Sequence, residues 1–319
     1  MASKKNAYKL RPQKVSWGKD FKRNWGVYVL FLPIFIFMIV LHYIPMFGIV
    51  MAFQDFDINL GYFHSPFVGL DNFVELFSGA DFPRAIGNTI ILAVLKCTIG
   101  FVMPILFALL LSLLRSKKYK RTVQTCSYMP NFVAAVIVCF LVQQFVKQDG
   151  PITLLLHNLF GVSNSNLLAD PNPPTFWIIY LVMGIWQGIG WGSIMYVAAI
   201  STVSGDLHEA AAIDGASRIQ RITKITLPCI KPTIVMMFVL GIGTSFASGY
   251  DNILLLYMPS TYPVADTIYT YTYRQAFGAG VSPDYALSAA SGLFQSAVGT
   301  VLLMGSNYLS RKASGSSLF

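Results

Sequence analysis

The sequence predicts an all-α, polytopic membrane protein with six transmembrane helices. Apolar residues make up 55% of the 319 positions and charged residues 12%, whereas soluble domains have roughly 45–50% and about 25%. A helix needs roughly 20 mostly apolar residues to cross a bilayer, and the runs 27–52, 176–200 and 286–309 each reach that length. These proportions argue against a soluble enzyme, a secreted disulfide scaffold and a nucleic-acid-binding protein.

Hydropathy along the chain indicates six spans, at residues 27–53, 86–114, 127–147, 176–200, 230–256 and 286–309. The first span is too long for the core of a signal peptide, so we expect it to remain as an anchor. The spans predict a transmembrane domain over residues 25–310, preceded by a basic tail at 1–24 and followed by a short tail at 311–319. The four cysteines lie in or beside apolar runs without C-x-x-C spacing, which indicates small core residues rather than metal or redox centres.

The basic residues predict the orientation of the spans, because Lys and Arg concentrate on the cytoplasmic side. With six spans, 19 of the 23 Lys and Arg residues fall in the N-terminal tail, the second-to-third loop, the fourth-to-fifth loop and the C-terminus. Arg84, Lys147 and Arg274 fall on the opposite side, and Lys96 falls within a span. Both termini are therefore expected in the cytoplasm, and the formal net charge of +9 is read as a topology signal.

The predicted cytoplasmic loop between the fourth and fifth spans, residues 201–229, is much longer than the usual 2–8 residues between helices. Asp206 followed by Glu209 has the form of a helix N-cap with a reciprocal acidic residue. Gly215 is expected to end this helix with a left-handed turn, and a second amphipathic helix is expected to stop at Pro228.

This helix-turn-helix has the features of a docking surface. The small side chains of Ala210 and Ala211 let a partner approach closely, and Glu209 and Asp214 offer charge that fixes its register. The alternative is an ordinary surface connection between two spans.

The loop resembles the "EAA" loop of permease subunits in binding-protein-dependent ABC importers. The matching positions are Glu209, Ala210, Ala211, Gly215, Ile225, Leu227 and Pro228. Residues 42–48 (His-Tyr-Ile-Pro-Met-Phe-Gly), 68–73 (Val-Gly-Leu-Asp-Asn-Phe) and 262–268 (Tyr-Pro-Val-Ala-Asp-Thr-Ile) are similar to LplB-type carbohydrate permeases. The permeases of maltose and alginate importers are wider relatives of that branch.

The resemblance implies a type I importer permease (MetI-like) fold, in which this loop forms a coupling helix seated in a groove of a cytoplasmic ATPase subunit. Glu209 would contact a basic or polar group there, and Gly215 would supply the bend. The residues expected to couple to the ATPase are Glu209, Ala210, Ala211, Asp214, Gly215, Ile225, Leu227 and Pro228.

The chain carries no G-x-x-x-x-G-K-[ST] phosphate loop, so we expect a non-catalytic subunit without a cofactor or metal of its own. ATP and Mg would be bound by the partner ATPase. The partners that the resemblance implies are a second permease, two ABC ATPase subunits and an extracytoplasmic solute-binding protein, in a bacterial cell membrane and surrounded by lipid. No nucleic-acid partner is expected.

Polar stripes at helical spacing mark a candidate pathway for a sugar. They comprise Tyr180, Gly184, Gln187, Trp191 and Met195 in the fourth span, Gly241, Thr244, Ser245, Ser248 and Asn252 in the fifth, and Ser288, Ser291, Gln295 and Gly299 in the sixth. Large polar groups are costly in lipid without a partner or water. The selected pathway residues are Gln187, Trp191, Ser248, Asp251, Asn252 and Gln295. The alternative is helix packing, for example through Gly184-xxx-Gly188-xxx-Gly192.

Two ionisable residues, His42 and Lys96, fall inside predicted spans and raise a proton-coupling hypothesis. Both are expected near the outer ends of their spans, where the long stem of Lys96 would let its ammonium reach water. Asp251 is expected near the external mouth, either touching substrate or capping a helix.

The function expected from these observations is ATP-driven import of an oligosaccharide or polysaccharide fragment by alternating access. An ion- or proton-coupled secondary transporter is the alternative, and its uptake would persist without ATP and collapse with the ion gradient. A membrane scaffold that transports nothing would show neither vectorial uptake nor an ATPase partner.

Overall fold

A computed structural model describes residues 17–245, 250–278 and 282–314. Within these ranges there is no β-strand, and a single antiparallel bridge joins Gln54 to Phe67. The predicted all-α class is therefore confirmed. The chain separates into two compact units, Met1–Val50 and Met51–Phe319.

The first unit is built on the helix α1, which runs from Trp17 to Phe53 and so begins ten residues before the predicted span. None of its residues from Trp17 to Met38 is buried within the chain. The helix bends at Asn24, whose φ of −115° is not helical and whose side-chain amide donates to Asp20 Oδ1 at 2.8 Å. His42 lies in a π-helical turn ahead of Pro45, whose ring disfavours the regular helical hydrogen-bond pattern.

The second unit holds the remaining helices. Besides the single-turn helices Gly61–His64, Leu167–Ala169 and Pro259–Thr261, they are in chain order α2 (Asp71–Ser78), α3 (Asp81–Leu113), α4 (Lys117–Phe132), α5 (Ala135–Val146), α6 (Pro151–Phe160), α7 (Pro173–Ser201), α8 (Gly205–Ile213), α9 (218–245), α10 (Tyr250–Leu256), α11 (Tyr262–Ala265), α12 (Ile268–Phe277) and α13 (Tyr285–Ser314).

Five helices in the described part of the chain are long and apolar enough to cross a membrane, namely α1, α3, α7, α9 and α13. A sixth span exists if α4 and residues 135–160 count as one, and these two pieces meet at 96°. The predicted span 127–147 therefore contains a sharp bend, between Phe132 and Ala135. The apolar helix α5 has only 12 residues, or about 18 Å, so it is too short to cross roughly 30 Å of hydrocarbon alone.

The predicted fifth span, 230–256, falls on two described helices. Helix α9 begins at Arg218, 12 residues before the predicted span, and is described to Ser245, and α10 is described from Tyr250 to Leu256. Residues 246–249 lie outside the described ranges.

Three apolar clusters hold the second unit together. One joins α5, α7 and α10 through Val138, Phe176, Met183, Ile253 and Leu256. Another joins α3 to α12 and α13 around Phe82, Ile268 and Leu287. In the third, Ile105 and Ala108 of α3 contact Tyr196 of α7, and Leu227 of α9 packs against them.

The segment between α10 and α13 is fastened to α3 and α7 by side-chain hydrogen bonds to its backbone. The amide of Asn88 donates to the carbonyls of Pro263 and Asp266, at 3.1 and 3.0 Å. Trp177 Nε1 donates to the carbonyl of Val264 at 2.9 Å. Because buried backbone groups need partners, these bonds fix α11 and the start of α12 on the neighbouring helices.

A buried ion pair between Asp266 and Arg274 closes the same segment. The Thr270 hydroxyl donates to Asp266 Oδ1 at 2.6 Å, and the Arg274 guanidinium lies 4.9 Å from the centre of the Tyr262 ring. Burial raises the pKa of the Asp266 carboxyl, and the bonds from Thr270 and Arg274 oppose that shift. Removing either charge would therefore leave the other desolvated and without its counterion.

We predict that Asp266→Leu lowers the free energy of unfolding by about 3 kcal/mol, because it leaves a partly buried guanidinium unpaired. The double variant Asp266→Leu with Arg274→Met should lose less than the sum of the two single variants. Thermal unfolding of the purified protein in detergent measures both. Arg84→Met is the control, since its pair with Asp81 is exposed at both ends and should change stability by at most about 1 kcal/mol. Equal effects of Asp266→Leu and Arg84→Met would contradict the prediction.

Candidate coupling loop and central cavity

The segment after α7 begins with a helix cap that differs from the predicted one. Helix α8 starts at Gly205, and Ser204 is its N-cap, because its Oγ accepts the Asp206 backbone N–H at 3.2 Å. The expectation that Asp206 is the N-cap is therefore wrong by two positions. Ser and Asp both favour this position, and the sequence alone did not distinguish them.

The turn after α8 forms at Gly215, as predicted. Gly215 has a φ of +79°, which costs a residue with a side chain roughly 1–2 kcal/mol. The Ala216 N–H donates to the Ala211 carbonyl at 2.8 Å and the Gly215 N–H to that of Ala212 at 3.1 Å. This is the Schellman pattern of helix termination, which makes the bend a defined structure.

A second cap restarts the helix two residues later. The Ser217 N–H donates to Gln220 Oε1 at 2.7 Å, and the Gln220 N–H donates to Ser217 Oγ at 3.3 Å, which together form a capping box. Helix α9 then continues through Pro228 to Ser245. The prediction that this helix stops at Pro228 is wrong. The π-helical turn Ile222–Thr226 precedes that proline and widens the helix where a proline ring would otherwise clash with the preceding turn.

The motif residues divide into an exposed part and an anchored part. Glu209, Ala210, Asp214, Gly215 and Pro228 are exposed, and Ala211 and Ile225 are half-buried. Leu227 packs against the cluster around Ile105 and Tyr196. The first part can therefore meet a partner, while Leu227 fixes the loop to the transmembrane helices.

Two apolar side chains at the bend were not selected from the sequence. Ile213 is 87% exposed and Ile219 is 73% exposed. Such exposed apolar groups beside small residues are typical of a surface that a partner covers.

A cavity of about 470 Å³ lies between α3, α7, α9 and α10, within the size range of small-molecule sites. Its wall is mainly apolar. The polar side chains on the wall are Lys96, Cys97, Asn131, Tyr180, Gln187, Tyr196, Ser245 and Asn252. A second concavity, of about 710 Å³ beside α5, α6 and α7, is lined almost entirely by apolar groups.

The cavity brings together two of the six selected pathway residues, Gln187 and Asn252. Gln187 Nε2 donates to the Val133 carbonyl at 3.3 Å, which is at the bend between α4 and α5. Cys139 Sγ lies 3.8 Å from Asn252 Oδ1.

The other four selected residues do not meet there. Trp191 is half-exposed and contacts the edge of Phe132, Gln295 is buried on α13, and Asp251 is exposed in the first turn of α10. Ser248 lies outside the described residues. The sixth-span stripe contributes no residue to the cavity wall in the described part of the chain.

Some glycines of α7 leave open space beside the cavity, and others allow a neighbouring helix to approach closely. Gly184 and Gly188 line the cavity, and a Cβ on either would meet no atom within 4 Å. A Cβ on Gly192 would lie 3.2 Å from Pro104 Cγ, and one on Gly190 would overlap the Ser127 backbone of α4. Within this chain the space beside Gly184 and Gly188 is therefore open, whereas Gly192 lines the cavity and also approaches Pro104.

Lys96 lies near the middle of α3, 15 positions after its first residue and 17 before its last, or about 22 Å along the helix from Asp81. The helix begins five residues before the predicted span. Lys96 lines the cavity at this level of α3.

The chain is matched over residues 100–314 by the family described as "Binding-protein-dependent transport system inner membrane component". The match covers more than half of the chain and includes the loop and the cavity helices α7 and α9. The chain belongs to this family, the membrane-embedded permease subunits of binding-protein-dependent importers. The ATPase of such an importer is a separate subunit.

Individual relatives agree with that assignment. The protein LplB of Bacillus subtilis is 37% identical over 96% of this chain and 94% of its own length. The polygalacturonan/rhamnogalacturonan transport system permease protein YteP of the same organism is 38% identical over 90% of this chain and 88% of its own. A chain of a bacterial alginate ABC transporter, solved in complex with an alginate pentasaccharide-bound periplasmic protein, has a TM-score of 0.84 and 38% identity. That match covers 95% of this chain and 99% of the solved one. The resemblance to LplB-type importer permeases is confirmed.

We predict that Gly190→Ala disrupts the contact between α4 and α7, because the added methyl overlaps backbone that has no rotamer to change. Overpacking of this kind costs about 1–3 kcal/mol or more. Thermal unfolding in detergent and recovery of monodisperse protein measure the loss. Gly188→Ala, two residues away, is the matched control and should unfold at the temperature of the unsubstituted protein. Equal stability of the two variants would show that α4 and α7 do not approach at Gly190.

Proposed function

We propose that this chain imports a carbohydrate, as an oligosaccharide or a polysaccharide fragment, by alternating access driven by ATP hydrolysis in a partner subunit. The observation that carries the proposal is the continuity of α9. One helix begins at the coupling loop and contributes Gly241 and Ser245 to the cavity wall. A movement of the loop would therefore be transmitted along about 35 Å of helix to the cavity.

The geometry of the loop supports its use as a lever. The Schellman turn at Gly215 and the capping box at Ser217 satisfy the backbone on both sides of the bend, so the loop is held in one shape. Leu227 anchors it to α3 and α7. A partner ATPase that grips Glu209, Ala210 and the exposed Ile213 would then move α8 and α9 as a body.

The proposed assembly follows the family. It pairs this chain with a second permease, two cytoplasmic ABC ATPase subunits that bind ATP and Mg, and an extracytoplasmic binding protein. The periplasmic protein in the solved alginate transporter complex supports the last of these. The proposed location is a bacterial cell membrane with both termini in the cytoplasm, which the basic residues of the tails and the coupling loop support.

The carbohydrate assignment rests on the cavity and on the relatives. Hydroxyl and amide groups on a mostly apolar wall suit a polar, uncharged sugar ring with apolar faces. YteP is named for polygalacturonan and rhamnogalacturonan, and the solved neighbour for alginate. Uptake that persists without ATP and collapses with an ion gradient would favour secondary transport instead.

We predict that Glu209→Lys and Gly215→Pro each reduce ATP-dependent uptake at least about 10-fold and weaken copurification of the ATPase. Lys reverses the charge at the docking surface, and Pro cannot adopt the positive φ of Gly215. Reconstituted transport and affinity purification of the complex measure the two effects. Glu75→Lys, on the exposed outer surface of α2, and Gly205→Ala, which has open space around it, are the matched controls for copurification. Normal uptake with normal copurification in both test variants would contradict the coupling role.

We predict that Gln187→Leu and Asn252→Leu each lower uptake about 10-fold, because each removes hydrogen-bonding groups from the cavity wall. Trp191→Leu should have a smaller effect, since Trp191 lies off that wall. Initial uptake rates at saturating and limiting sugar, together with substrate-stimulated ATPase activity, make the comparison. A larger loss for Trp191→Leu than for both other variants would place the pathway elsewhere.

A further inference from the structure

The first turns of α1 extend beyond the length of helix that a membrane needs. The apolar run 27–52 holds 26 residues, or about 39 Å of helix, which already exceeds roughly 30 Å of hydrocarbon. Residues 17–24 precede that run, and the helical geometry is interrupted at Asn24. These turns are therefore expected at the membrane surface, beside the lipid headgroups.

One face of these turns is aromatic. Trp17, Phe21 and Trp25 recur every four residues, a spacing that places side chains on one side of a helix. Tyr28 extends this face, since the centre of its ring lies 5.1 Å from that of Phe21. All four side chains are exposed within the chain, and Trp17 is 89% exposed. Tryptophan and tyrosine are typical of the boundary between hydrocarbon and headgroups.

The opposite face of the same turns is basic. At 100° per residue, Lys19, Lys22 and Arg23 lie on the side of the helix away from the aromatic face. All three are exposed. No acidic group in the described part of the chain forms an ion pair with any of them. Their charge is therefore left for a partner outside this chain.

The one acidic residue of these turns is engaged within the helix. Asp20 Oδ1 accepts from the side-chain amide of Asn24 at 2.8 Å, and Asp20 Oδ2 accepts from the Tyr28 hydroxyl at 2.7 Å. Both carboxylate oxygens are thus bonded to neutral groups instead of the basic side chains. Residues 1–23 carry eight Lys and Arg residues against this one Asp, a formal charge of +7.

We propose that the amphipathic segment 17–28 binds anionic phospholipids, with its aromatic face toward the acyl chains and its basic face on the headgroup phosphates. The inference goes beyond the proposed function and does not depend on which solute is transported. Each Lys or Arg beside a span favours contact with an anionic membrane surface about 5-fold. Aromatic residues opposite a basic face are the pattern of helices that lie in the membrane interface.

The test uses the complete importer, with its second permease, ATPases and binding protein, in vesicles of equal parts phosphatidylcholine and phosphatidylglycerol. A photo-crosslinking p-benzoylphenylalanine takes the place of Phe21, on the aromatic face. A second version carries the same group in place of Lys19, on the basic face. Mass spectrometry of the adducts distinguishes the two lipids from each other and from protein. The readout is the ratio of phosphatidylglycerol to phosphatidylcholine adducts.

The probe at Phe21 should label phosphatidylglycerol about 10-fold more than phosphatidylcholine at low salt, given the contribution of each basic residue. That ratio should fall several-fold in about 1 M salt, where the Debye length is about 3 Å. The double variant Lys22→Gln with Arg23→Gln should bring the ratio close to that of the bulk lipids. The probe at Lys19 should give fewer lipid adducts of either kind, because its side chain points away from the acyl chains.

Arg84→Gln with Lys147→Gln is the matched control, because it also removes one Arg and one Lys. Both of its residues are exposed, and they bond to Asp81 and Gln144. This variant should keep the full ratio of adducts. Both double variants should unfold in detergent at the temperature of the unsubstituted protein, since all four side chains are exposed.

Four results would each overturn the inference. They are a ratio equal to that of the bulk lipids in the unsubstituted importer, a ratio that the Lys22 and Arg23 substitutions leave unchanged, equal lipid labelling by the two probes, and adducts formed mainly with another subunit. The last result would assign this face to a protein partner. Sugar uptake in the same vesicles tests the proposed function separately, and normal uptake with any of these four results would leave that function standing.

Discussion

The continuity of backbone hydrogen bonding along α9 is the constraint on which the rest of the molecule depends. A helix in hydrocarbon must satisfy its own backbone groups, because no water is present to do so. Helix α9 carries Pro228 and Pro232, either of which removes a donor. The π-helical turn Ile222–Thr226 adjusts the pattern ahead of the first proline, so the helix continues from the turn at Gly215 to the cavity. One continuous helix consequently joins the loop to one wall of the cavity.

Local backbone features also shape the cavity wall in α3 and α7. In α3 the π-helical turn Lys96–Gly100 lies ahead of Pro104 and brings a lysine to the cavity. In α7 the glycines alternate between two tasks: Gly184 and Gly188 leave open space, and Gly190 allows α4 to approach. A cavity can exist beside a tight helix contact because the two sets of glycines face different neighbours.

The segment between α10 and α13 is fixed to two of the long helices, α3 and α7. Side chains of α3 and α7 bond to the backbone around Val264 and Asp266, and the pair of Asp266 with Arg274 is buried. A buried pair of this kind is costly to break. The alternating access that we propose requires some helices to move against others. Because these bonds are costly to break, we expect α3 and the segment between α10 and α13 to move together.

The sequence by itself determined the class of the protein, the order of its apolar segments, and the position of the loop that resembles the coupling loop of importer permeases. These follow from local properties: hydrophobic length, the distribution of Lys and Arg, and the spacing of Glu209, Gly215 and Leu227. It also selected Gln187 and Asn252, because large polar groups in apolar runs are conspicuous. Only the tertiary structure decided that Pro228 does not end a helix, that Ile213 and Ile219 are exposed, and that Lys96 meets a cavity at the middle of α3. The physical reason is that helical periodicity defines which residues share a face, whereas the neighbours of that face are set by packing between segments far apart in the chain.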